Sequence, residues 1–176
     1  MAYSNGNGKS GKTDIVADSV FVKQLVLTDE QNNPRISMFI AAGGSPCIVL
    51  YDSAERTRLE LRLETDGRPE VILRGSEKQI RASLTIDEDQ YPYLRLHDHK
   101  DQLRACLYFA ENTPALNLYD RQEKIRACVT LEPEDGDTPY ILLYNKEEQR
   151  QVALTVPPDG SEGFLLQDRE GDDRSM

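Results

Sequence analysis

One clock runs through the chain. Arginine recurs at Arg35, Arg58, Arg81, Arg104 and Arg126, at steps of 23, 23, 23 and 22 residues. Proline keeps the same time at Pro46, Pro69, Pro92, Pro114 and Pro139, at steps of 23, 23, 22 and 25. The turn formers Asp29, Asp52, Gly75, Asp98, Asp120, Asn145 and Asp168 follow in phase. Three residue types on one period define six whole repeats and a truncated seventh beginning near Glu162. A period of this length marks one supersecondary unit that buries its face against its neighbours.

Within a unit the pattern has period two, the mark of a half-buried strand. In Pro92-Tyr93-Leu94-Arg95-Leu96-His97, the leucines face one way and Tyr93, Arg95 and His97 the other. After Asp98 to Gln102, Leu103, Ala105, Leu107 and Phe109 alternate with Arg104, Cys106 and Tyr108. Asp or Asn opens the tight turn, and links such as Thr65-Asp66-Gly67-Arg68-Pro69 join the units. Proline at a strand's first position costs no ladder bond. The fold is therefore all-β, an antiparallel meander of six to seven hairpins with one apolar face.

Such a face must be covered, because burial at roughly 25 cal/mol per Å² of apolar area is the term that offsets chain ordering. A barrel, a two-layer sandwich, a six-hairpin trefoil, or a triangular prism of three copies would cover it. Only 38 % of residues are hydrophobic and there is no Trp, which favours a core shared between chains. Leu96, Leu118 and Ile141 are expected to be buried. The repeat domain spans 14–168, between a flexible tail over 1–13 and a frayed end over 169–176. The alternation Ile15, Val20, Val22, Leu25, Leu27 predicts a strand leading into the first hairpin.

Charge narrows the partners. With a net charge of −10 the chain lacks the basic face of a nucleic-acid binder and is repelled by anionic lipid. No run approaches the ~18 apolar residues of a membrane span, and no secretory signal is visible, so a cytoplasmic place or one in a phage-like particle is expected. Three cysteines (Cys47, Cys106, Cys128) suit a reducing compartment better than a disulfide framework.

The units Leu116-Asn117-Leu118-Tyr119-Asp120…Ile125-Arg126-Ala127-Cys128-Val129 and Ile48-Val49-Leu50-Tyr51-Asp52…Thr57-Arg58-Leu59-Glu60-Leu61 resemble the tandem hairpin repeats of many bacterial proteins. The lead-in Asp14-Ile15-Val16-Ala17-Asp18-Ser19-Val20 is similar to linkers of bacteriophage tail fibres, which implies a trimeric, structural role. The Gly-rich signature of MORN repeats is missing. None of these resemblances supplies a catalytic residue.

Four motifs are weighed against plainer roles. Gly6-Asn7-Gly8-Lys9-Ser10-Gly11-Lys12-Thr13 spells a phosphate-binding loop, but the strand before it and the helix after it are missing. His97 and His99, two apart on a strand, would offer two rings to a metal where a closed zinc site wants four ligands, so no metal is assigned. Cys106 and Cys128 are small outward side chains, too far apart for a disulfide. The acidic links at Asp87-Glu88-Asp89 and Glu132–Asp137 lack calcium-loop spacing.

The outward face carries the candidate site. Pairing each hairpin about its turn sets Tyr51 opposite Arg58, Arg74 opposite Arg81, His97 opposite Arg104, and Tyr119 opposite Arg126, with Tyr144 beside Arg126. Arg over Tyr adds roughly 0.5–1 kcal/mol at exposed sites. The row Tyr51, Arg58, Arg81, Arg104, Tyr119, Arg126, Tyr144 either fixes register or binds a glycan or protein partner. No cofactor is called for, and no paired-carboxylate or nucleophile constellation points to an enzyme. The expectation is a non-enzymatic stalk or fibre component, assembled with itself as a trimer, with a monomeric binding module as the alternative.

Overall fold

The computed structural model describes residues 15–110, 113–132, 136–156 and 165–167. They form one thirteen-stranded sheet whose strands pair in chain order, every pair antiparallel. The strands are β1 (Gln24–Thr28), β2 (Pro34–Ile40), β3 (Pro46–Tyr51), β4 (Thr57–Leu63), β5 (Pro69–Arg74), β6 (Ile80–Ile86) and β7 (Pro92–His97). There follow β8 (Leu103–Ala110), β9 (Thr113–Tyr119), β10 (Ile125–Glu132), β11 (Thr138–Tyr144), β12 (Arg150–Thr155) and β13 (Leu165–Gln167). No helix occurs among the described residues.

The meander is open. β1 and β13 stand at opposite ends of the order, and substantial contacts run only between successive strands. Among the described residues one chain shows neither the barrel nor the sandwich that the sequence left open. The tail over 1–13 and the frayed end over 169–176 lie outside the described residues, as does the phosphate-loop string. The lead-in is corrected: strand begins at Gln24, and Val16 and Phe21 are each 96 % exposed. Beyond the sheet's edge there is no neighbour to complete a ladder, so alternation alone does not make a strand.

Each hairpin closes with a turn set by sequence. The Asp52 amide donates to Arg56 O, and the Glu55 amide donates to Asp52 O, with Glu55 left-handed at φ 56. This is a three-residue loop ending in an αL residue. Asp52 Oδ1 accepts the amides of Ala54 and Arg56, and the same pair of bonds recurs at Asp29, Asp87, Asp98, Asp120 and Asn145. Those bonds offset the strain of a non-Gly residue at positive φ. At the opposite end Gly67, at φ 87, takes the left-handed position of the Glu64–Arg68 turn. Proline has a matching partner, since the hydroxyls of Thr85, Thr130 and Thr155 donate to the carbonyls of Pro69, Pro114 and Pro139.

The recurring arginine has its own cause. Leu50 pairs Leu59 but Tyr51 pairs Thr57, so Arg58 is an extra residue in β4, a β-bulge. The same slip leaves over Arg35, Arg81, Arg104, Arg126 and Gln151. The 23-residue arginine clock marks the bulge of each hairpin from β1–β2 to β9–β10, and Gln151 takes its place in β11–β12.

Candidate functional site

The two faces of the sheet differ in a way that reverses the expectation from sequence. On the polar face one row crosses the sheet through Ser37, Val49, Glu60, Ile72, Ser83, Arg95, Cys106, Asn117, Cys128, Leu142 and Ala153. This row holds most of the buried side chains, with Ile72 at 1 % and Asn117 at 4 % exposure. Long neighbours lie inward over it, covering small or apolar residues with their stems. On the apolar face, by contrast, Leu96, Leu118 and Ile141 are 43 %, 47 % and 43 % exposed. The expected burial of these three is not met within one chain, because no other described element lies on that side.

Two kinds of cover protect the polar row. Over β4 and β5 it is ionic: Arg62 reaches Glu64 and Glu70 at 2.6 and 2.7 Å and Glu60 at 3.6 Å, while Arg74 pairs with Glu60. Over β7 to β11 it is aromatic. Asn117 Nδ2 donates to the hydroxyls of Tyr108 and Tyr119, at 3.3 and 3.5 Å, and Arg95 stacks on Tyr93 with 4.3 Å to the ring centroid. Burial pushes the Tyr119 and Tyr144 hydroxyls up, and does the same to the Cys106 and Cys128 thiols. Both thiols therefore stay protonated at neutral pH.

The sequence-derived row lies at the Asp-turn ends of the strands. Tyr51, Tyr119 and Tyr144 end β3, β9 and β11, and all three are half-buried. Tyr51 and Tyr119 pair with Thr57 and Ile125 rather than with Arg58 and Arg126, because the bulge displaces the recurring arginine by one place, while Tyr144 pairs with Arg150. The expected pairing is thus corrected at its last rung, although the ladder behind it (Leu50 with Leu59, Leu118 with Ala127) follows the expected register. Freed from the ladder, the arginines turn to the loops. Arg58 Nε donates to Arg74 O at 3.1 Å and its Nη1 lies 3.3 Å from Asp52, while Arg126 lies 3.6 Å from Asp120. Arg104 Nη1 and His97 Nδ1 are buried without a hydrogen-bond partner.

A latch between repeats was not foreseen. Glu123 accepts the amide of Leu103 at 2.8 Å, and Glu148 accepts the amide of Ile125 at 3.2 Å and the Lys124 ammonium at 2.7 Å. Each glutamate sits in the left-handed turn position of the next hairpin, φ 58 and 60, and caps the first strand residue, just before the bulge arginine, of the preceding one. The available signal was positional: both lie three residues after a turn-opening Asp or Asn.

The remaining motifs find ordinary places. β7 ends at His97 and His99 lies in the following turn, so the two rings do not share a strand. Among the described residues no three His, Cys, Asp or Glu side chains group as metal ligands. Asp87 spends its carboxylate on the Asp89 and Tyr91 amides. No helix among these residues is long and apolar enough to cross a membrane.

The apolar face is the larger feature. Three rows cross it without a charge between β2 and β12; the central one reads Met38, Ile48, Leu61, Val71, Leu84, Leu94, Leu107, Leu116, Val129, Ile141, Leu154. Near β1 to β5 it hollows into a groove of about 590 Å³ lined by Leu25, Met38, Ile48, Leu61, Leu63 and Val71. Exposed apolar patches this extensive mark interaction surfaces on folded proteins. No protein-family model and no curated protein matches the chain.

Proposed function

We propose that the protein is a non-enzymatic structural or adhesion module, a β-repeat stalk or fibre component in which three copies bring their apolar faces together. The exposed, uncharged face from β2 to β12 carries this reading. Thirteen strands at about 4.8 Å make a sheet about 58 Å long, and seven residues per strand make it about 24 Å wide. Three such walls around an axis each stand about 7 Å from it, near the ~5 Å from sheet to midplane in a sandwich, so large central-row side chains fill the middle. The resemblance of the lead-in to phage tail-fibre linkers supports the same reading and a place in a phage-like particle.

Small-angle scattering on the full chain tests it. A rod of about 60 Å or more, with a cross-section several sheets thick, is expected. A flat single-sheet particle would reject it. The alternative, a monomeric module that takes a glycan or protein along the Arg/Tyr row, draws on the unpartnered donors of Arg104 and His97. Glycan retention lost on R104A/R126A, with stability unchanged, would favour that alternative.

A further inference from the structure

The apolar face is graded in size, and the grading specifies how copies meet. Its row nearest the Asp turns alternates from strand to strand: Leu96 on β7, Ala105 on β8, Leu118 on β9, Ala127 on β10. The row at the opposite end alternates in the contrary sense: Pro92 on β7, Phe109 on β8, Pro114 on β9, Leu131 on β10. At each of these four levels, then, a large residue at one margin accompanies a small or ring-closed one at the other. β5, β6 and β11 repeat the rule with Leu73 and Pro69, Ala82 and Ile86, Leu143 and Pro139. β2, with Ile36 and Ile40, and β4, with Leu59 and Leu63, depart from it.

Within one sheet this grading fills nothing, since the two margins of a strand lie about 13 Å apart on the same face. Between copies it does. Around an axis that runs along the sheet, parallel copies place the Asp-turn margin of one against the opposite margin of the next, strand level with strand level. We infer that the occupant of the apolar face is a second copy of this chain in that arrangement, so that Ala105 lies against Phe109 of the neighbour and Leu118 against Pro114. Matched in this way, bulk meets space at each level from β5 to β11, as packing at interior density requires. The face, roughly 58 by 24 Å, exceeds the ~800 Å² per partner of a stable interface. The inference rests on the proposed covering of this face by copies, and it adds their direction and level.

A mutant cycle tests it on the full chain, read by melting temperature and by mass in solution. A105L should overfill its level and lower the melting temperature by about 5 °C or more. F109A should also lower it, by leaving a cavity. A105L/F109A should recover most of the loss, although the two sites are too far apart in one chain to couple. A105L/L131A, two levels out of step, should not recover. Should A105L fail to fold, A127L with L131A provides the same cycle on β10. Additive losses, or equal recovery by the mismatched pair, would overturn the matching while leaving the assembly standing. A protein of single-chain mass would overturn both.

Discussion

The two faces of this sheet exchange the roles that their compositions suggest. At neighbouring positions on β8, Cys106 on the polar face is 7 % exposed while Leu107 on the apolar face is 46 % exposed. The polar face supplies its own cover, since its arginines, glutamates and tyrosines are long enough to lie over a narrow row. Leucine, isoleucine and valine reach only outward, and a single layer gives them nothing to meet. Under the proposed assembly, exposure in one chain is no guide to what a residue contributes in the assembled protein.

The strongest way to break that comparison is a charge. Leu118→Asp should abolish the assembly or unfold the chain, because an unpaired buried carboxylate is left without water. Unchanged melting temperature and mass would mean that the apolar face is an ordinary surface. The milder pair ranks the faces directly: L107A should cost about 2–4 kcal/mol, as a buried leucine does, and C106A less. The reverse order by denaturant titration would contradict the account.

Acid separates the faces from the turns. Partial burial pushes the Asp52 carboxyl up, but the Arg56 and Ala54 amides and the Arg56 guanidinium outweigh it and hold the group at about 2. Hydrogen bonds from Asn33 and from Lys124, respectively, likewise lead the lowering of Asp29 and Asp120. A depressed folded value means that the stabilisation is present above the unfolded value, near 3.8, and is lost as pH falls through the folded one. Melting temperature should therefore hold from neutral pH to about 4 and drop between about 4 and 2, with a shallower drop in D52N.

Smaller effects sharpen the polar side. Glu123→Ala should cost about 1 kcal/mol by leaving the Leu103 amide without its carboxylate, with Glu123→Gln in between. Arg126→Ala should cost only a few tenths of a kcal/mol, since its pair with Asp120 is long, at 3.6 Å, and still reached by solvent. A loss above about 1.5 kcal/mol would show that the bulge arginine does more than trim a turn.

Much of this was readable from the chain alone, and the failures have physical causes. The repeat, the all-β class and the ladder register follow from period-two alternation and from Asp-opened turns, both local rules. The bulge was hidden because pairing about a turn assumes one residue against one, and a bulge changes only the last rung. That single rung decides whether Arg58 faces Tyr51 or reaches Asp52 and the next hairpin. Asn117 gave no warning either, because its burial depends on Tyr108 and Tyr119 from neighbouring strand positions lying over it. The lead-in misled in the other direction: Ile15 to Val22 alternates like a strand but has no neighbour to pair with.

The central claim is that the apolar face of one copy is covered by others, and mass in solution meets it most directly. Light scattering on the purified full chain, over a hundredfold range of concentration, should give about three times 19.9 kDa. A mass of 19.9 kDa throughout, with the chain folded and soluble, would contradict it.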